Sequence, residues 1–93
     1  MKMEFTRIGG EFTKGWVKSH SECIREHKGY SIVFGAFERT GNETFWSISI
    51  YRNRGKRMEL EYRTKNRWAC DGQAMAIETK LAKQFIDSLE KTA

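Results

Sequence analysis

The sequence predicts an α+β fold: an antiparallel β-meander of about five to six strands, packed on one face by a C-terminal α-helix. Three features lead there. Residues 31–38 and 45–51 are rich in β-branched and aromatic side chains and flank a turn-forming tetrapeptide, Thr40-Gly41-Asn42-Glu43. Residues 57–63 alternate strictly between apolar and charged. Leu81, Ala82, Phe85, Ile86 and Leu89 recur at the spacing of one helix face.

Taken in chain order, residues 3–8 and 11–17 flank Gly9-Gly10, which reads as a hairpin turn. Residues 19–28 admit two readings. Ser19-His20-Ser21-Glu22 fits a helix capping box with Gly29 at the C′ position. Alternatively 22–27 is a strand, and Lys28-Gly29 turns the chain into Tyr30; the strand is favoured.

In the central hairpin, pairing Thr40 with Glu43 sets Phe37 opposite Trp46, Gly35 opposite Ile48 and Val33 opposite Ile50. Along 57–63, Met58, Leu60 and Tyr62 point one way, and Arg57, Glu59, Glu61 and Arg63 the other. Pairing Ile50 with Met58 then gives a core face of Val33, Phe37, Trp46, Ile48, Ile50, Met58, Leu60 and Tyr62. The opposite face holds Ile32, Phe34 and Ala36, then Phe45, Ser47, Ser49 and Tyr51, then the charged residues of 57–63, with Tyr51 beside Arg57 and Phe45 beside Arg63. Asp71-Gly72 suggests a short hairpin between 67–70 and 73–77. Thr79 is the expected N-cap of a helix over 79–91, whose apolar stripe covers the core face. Trp16, Trp46 and Trp68 read as structural anchors, with Trp16 or Trp68 the more exposed.

Ninety-three residues make a single domain, 1–93. Hydrophobic residues at 39% and aromatics at 13% suffice for one core, so the chain is not of the disordered class. No apolar run reaches the ~18 residues of a membrane span, and Met1 to Phe5 has no apolar leader, so a cytoplasmic protein is expected. Cys23 and Cys70 are too few for a disulfide scaffold and read as thiols.

The net charge of +5 is concentrated. Residues 52–67 hold seven basic and two acidic side chains, against seven and six in residues 1–51. Arginine offers a planar fork of donors that matches phosphate oxygens, and open aromatic rings stack on unpaired bases. The candidate nucleic-acid-binding residues are therefore Arg52, Arg54, Lys56, Arg57, Arg63, Lys65 and Arg67, with Phe45 and Tyr51 as stacking platforms. The expected partner is single-stranded nucleic acid. Glu59 and Glu61 lie within the same stretch and oppose phosphate, and the two loops of a meander fall at opposite ends of the sheet. The alternative is a protein-interaction module, such as a phage-type inhibitor or adaptor, meeting an acidic protein surface. Ile32, Phe34 and Ala36 would then mark an interface that a partner, or a homodimer, covers.

Other chemistries are thinly represented. On a helix His20, Cys23 and His27 would share a face, with Cys70 as a fourth zinc ligand, but the spacing matches no standard finger and no metal or other cofactor is expected. Cys23 could form a thiolate pair with His20 or His27, but no orienting third group or oxyanion loop can be assigned; Gly9-Gly10 is not a phosphate cradle, and Glu59 and Glu61 read as cross-strand ion pairs, so no enzyme is expected.

The run Ala74-Met75-Ala76-Ile77-Glu78-Thr79, read as a strand leading straight into Leu81 to Leu89, resembles the order of elements in the single-stranded-DNA-binding domains of the transcriptional coactivator p15 family. That likeness covers about the last fifty residues and rests on order rather than a motif. It implies a dimer with a basic, aromatic-bearing sheet. The compact style of the chain also resembles small phage-encoded accessory or inhibitor proteins.

Overall fold

The computed structural model describes residues 4–40, 43–64, 68–69 and 72–91, with side chains at 4–35, 47–64 and 75–89. Within them lie β1 (Phe5–Arg7), β2 (Glu11–Thr13), α1 (Lys14–Ser19), β3 (Ser21–His27), β4 (Tyr30–Thr40), β5 (Glu43–Arg54), β6 (Arg57–Thr64), β7 (Trp68–Ala69) and α2 (Gly72–Lys91). The strands form one antiparallel sheet in the order β1-β6-β5-β4-β3; β2 pairs with β6 and β7 with β5. This is the expected meander with a C-terminal helix.

Two tight turns set the hairpins. His27 pairs with Tyr30 across Lys28-Gly29, and both turn residues have positive φ, +50° and +81°. That is the backbone of a two-residue turn whose twist matches the flanking strands. The strand reading of 22–27 therefore holds. Arg54 pairs with Arg57 across Gly55-Lys56, with Gly55 at φ +62°. Thr40 pairs with Glu43 as expected, while Gly41 and Asn42 lie outside the described residues.

The expected faces are corrected by three bulges. In β4–β5, Gly35 pairs with Ser47 and Glu38 with Phe45, so β4 carries one extra residue between them. Val33 then opposes Ser49 rather than Ile50, and Ile32 opposes Ile50. In β5–β6, Ile50 pairs with Tyr62 and Tyr51 with Leu60, leaving Glu61 as the inserted residue. In β3–β4 the shift lies between Ser21 and Cys23. Because side chains alternate with period two, one inserted residue moves everything beyond it to the other face.

The sheet is consequently covered on both sides. Tyr30, Ile32, Phe34, Ile48 and Ile50 form a buried cluster with Ala82 and Ile86 of α2, and Tyr62, Phe85 and Leu89 pack against it. Ile32 and Phe34, expected to be open to a partner, are fully buried there; the side chain of Ala36 lies outside the described residues. Each such aliphatic side chain stabilises the fold by about 1.5–3 kcal/mol. On the opposite face Val33, Tyr51, Met58 and Leu60 cluster with Val17 of α1, joined by Ile8, Phe12 and Ile24.

The N-terminal third departs from a hairpin. Phe5 pairs with Thr64 and Phe12 with Met58, both along the same edge of β6. Gly9-Gly10 is thus an irregularity within one edge strand, bridged by the Ile8 amide donating to Glu61 O at 2.8 Å and the Leu60 amide to Gly10 O at 2.8 Å. Residues 14–17, expected as part of a strand over 11–17, lie instead in α1. Thr13 caps it, its hydroxyl accepting from the Trp16 amide at 3.2 Å.

Helix α2 begins at Gly72, not at Thr79. Thr79 is interior and its hydroxyl donates to Met75 O at 2.8 Å, while the run 73–77 is helical rather than a strand. The run 74–79, read as the strand that leads into the helix and carrying the coactivator resemblance, is thus part of α2 itself, although strands do precede a C-terminal helix. Asp71 of the supposed turn lies outside the described residues.

Candidate functional site

The basic stretch is divided by the sheet. Beyond the Glu61 bulge, Arg63 pairs with Ser49 and faces the α1 side; before it, Arg57, Glu59 and Arg52 belong to the α2 side. The α2-side arginines are each matched to a carboxylate. Arg52 Nε donates to Glu61 Oε2 at 2.8 Å, Arg54 Nε to Glu59 Oε2 at 2.6 Å, and Arg57 Nε lies 2.5 Å from Glu11 Oε1. Arg52 also donates to the Tyr30 hydroxyl at 2.6 Å and lies over that ring, 5.0 Å from its centroid. The hydrogen bond it donates to Glu61 holds the Arg52 guanidinium still more firmly protonated than usual. This row is a stabilising ladder that leaves little net charge for a polyanion.

Tyr51 corrects the expectation of an open platform. It is 4% exposed, faces Phe12 edge-on at a centroid distance of 6.0 Å, and pairs with Leu60 rather than sitting beside Arg57. Burial raises the pKa of its hydroxyl, partly offset by Arg63. The Phe45 backbone pairs with Glu38 and Ala69, not with a strand bearing Arg63; its side chain, and Lys65 and Arg67 entirely, lie outside the described residues. Lys56 is exposed at the β5–β6 turn.

A different constellation forms on the α1 side. Helix α1 sits on the sheet through Val17, which is buried. Trp16 and His20, four residues apart, project to one flank. Phe12, Trp16 and His20 stack in series, with centroid distances of 4.8 Å and 4.1 Å and interplanar angles of 22° and 14°. Trp16 at the centre of that stack is 45% exposed at its edge; the side chains of Trp46 and Trp68, with which the sequence compares it, lie outside the described residues. Beside the stack lies a recess of about 240 Å³ lined by Trp16, His20, Gly35, Ser47, Tyr51 and Arg63, among others.

The polar groups of the recess are oriented. His20 Nδ1 is 2.8 Å from the Trp16 carbonyl, which only accepts, so Nδ1 carries the proton and Nε2 is the free nitrogen of the neutral ring. Arg63 Nε donates to Ser49 Oγ at 3.0 Å, and among the described residues Arg63 has no carboxylate partner. Gly35 lets the end of α1 approach β4 closely: a Cβ there would meet the His20 carbonyl oxygen at 3.2 Å. Of the residues singled out in the sequence, Arg63 and Tyr51 line this recess. Trp16, His20, Gly35 and Ser47 were missed as site residues. Their signal was Thr13 as N-cap followed by an aromatic pair at helical spacing, legible only once 14–19 is read as helix.

The zinc spacing dissolves because residues 21–27 are strand. His27 instead bonds Asp87 of α2. Among the described residues no cluster of three or more potential ligands could hold a metal, and no helix is long and apolar enough to cross a membrane.

Fold and site together define a small α+β domain with an open recess that combines an aromatic stack, a guanidinium without a carboxylate partner among the described residues, and serine hydroxyls. No protein family, curated protein or solved structure matches the chain.

Proposed function

We propose that the chain is a non-enzymatic, cytoplasmic binding protein for single-stranded nucleic acid, and that it takes one unpaired base against Trp16 in the recess beside α1. The observation that carries the reading is the Phe12–Trp16–His20 stack, whose His20 end and exposed Trp16 edge line the recess next to Arg63. A base stacks on His20, the open end of that stack, against the exposed edge of Trp16, a stacking contact being worth ~1–3 kcal/mol. Arg63 meets the adjoining phosphate, and Ser47 and Ser49 offer hydroxyls to the base edge. The recess, about 240 Å³, is smaller than the roughly 300–1,000 Å³ of drug-sized sites. That favours one ring of an extended chain over a complete small molecule. The lining residues come from one chain, so the reading holds for a monomer and a dimer alike.

The test is fluorescence anisotropy of labelled single-stranded DNA and RNA oligonucleotides at low salt. Binding is expected, weakening steeply as salt rises. Trp16→Ala and Arg63→Ala should each lower affinity tenfold or more, by the loss of ~1.4 kcal/mol of contact, whereas Arg54→Ala, whose partner is Glu59, should change it little. Absence of binding to either polymer, or binding indifferent to Trp16 and Arg63, overturns the reading.

A further inference from the structure

A second recess, of about 80 Å³, lies between Lys14, Lys18, Glu26, Ser31 and Asn53, among others. Lys14 and Lys18 are four residues apart, as are Trp16 and His20, so α1 presents its cations to one cleft and its aromatics to the other, with Val17 seated between them. Both lysines are exposed, and among the described residues neither is ion-paired. Ser31 Oγ donates to Asn53 Oδ1 at 2.8 Å, which leaves the Asn53 amide hydrogens available as donors. The Lys14 amide donates to Lys56 O at 3.2 Å, so the β5–β6 turn brings a third exposed lysine alongside. Helix α1 itself carries no carboxylate in its first turn.

We infer that this second cleft is a phosphate subsite for the same strand: the chain whose base packs against the Trp16–His20 stack crosses α1 and sets a following backbone phosphate between Lys14 and Lys18, near Lys56. This rests on the base-binding reading of the first recess. A helix is ~10 Å across with its side chains, and Arg63 already meets the stacked nucleotide's own phosphate, so filling both clefts takes an oligonucleotide. Glu26, on the wall of the same cleft, opposes the phosphate and tempers affinity.

The experiment compares a labelled mononucleotide with a labelled oligonucleotide of about six residues, a length typical of single-strand sites, against the full chain. The oligonucleotide should bind at least tenfold more tightly than the mononucleotide. The double variant Lys14→Glu, Lys18→Glu should remove that advantage and reduce the salt slope for the oligonucleotide by about one per lysine. Glu26→Gln should strengthen oligonucleotide binding. If the double variant keeps the oligonucleotide affinity and salt slope while Trp16→Ala still abolishes binding, the second subsite is wrong and the first reading stands. If neither ligand binds the unmodified protein at low salt, both fall. Circular dichroism of the double variant separates lost binding from lost fold, and Lys14→Gln with Lys18→Gln supplies a milder pair that should halve the effect.

Discussion

His27 Nε2 lies 2.8 Å from Asp87 Oδ1, joining the turn between β3 and β4 to the exposed side of α2. Lys28 Nζ reaches the same oxygen at 2.8 Å. A carboxylate only accepts, so the His27 Nε2 carries a proton, and Asp87 gathers two donors from one hairpin.

The first prediction concerns acid. Hydrogen bonds from Lys28, then from His27, lower the Asp87 pKa below its ordinary 3.8. A carboxylate with a depressed folded pKa contributes stability above its unfolded pKa, and that contribution disappears as pH falls through the folded value. Urea unfolding followed from pH 5 downward should therefore show a loss of stability that Asp87→Asn lacks. Equal acid sensitivity in the two proteins would refute this.

At the other pH extreme the relevant group is Tyr51. Burial raises its hydroxyl above the ordinary 10.0, with Arg63 acting in the opposite sense. Below 10 the hydroxyl is neutral in both folded and unfolded chains. Above it the unfolded chain ionises first, so stability is lost as pH rises. Tyr51→Phe should flatten that alkaline loss, measured by denaturant midpoints between pH 9 and 11.

Thr64 is a buried polar residue on β6, and its hydroxyl accepts from the Ile48 amide at 3.1 Å. Thr64→Val keeps the shape but leaves a buried N–H without its acceptor, which should cost about 1–3 kcal/mol. Thr64→Ser should retain most of the stability. Chemical denaturation of the two variants decides it.

The arginine ladder should be uneven. Glu61 is 8% exposed, so Arg52→Met strands a largely buried carboxylate and should cost about 1–3 kcal/mol. The Arg54–Glu59 pair is open to solvent on both partners, and Arg54→Met should cost about 0–1 kcal/mol. Equal losses would show that burial of Glu61 does not govern the ladder.

Short-range chemistry was legible. The alternation of 57–63 gave a strand, observed as Arg57–Thr64; Lys28-Gly29 gave a two-residue turn; the Leu81–Leu89 stripe gave a helix face, of which Ala82, Phe85, Ile86 and Leu89 join the core against the sheet. These depend on residues within a few positions of one another. The start of α2 was not legible, because the short run Ala74 to Ile77 suits a strand as well as a helix. Nor was the site: Arg63 and Glu59 were read on one face, and Trp16 was read as the end of a strand.

The amino-acid order by itself determined that strands form, where two of them turn back, and that a C-terminal helix has an apolar side. Which face of the sheet that helix covers was decided only in three dimensions. Strand β4 carries Ile32 and Phe34 on one side and Val33 on the other, so both sides are apolar enough to be buried. With both faces eligible, a single inserted residue at Glu61 is enough to part Arg63 from Arg52, Arg54 and Arg57, and that insertion is fixed by how β5 and β6 pair, not by either strand alone.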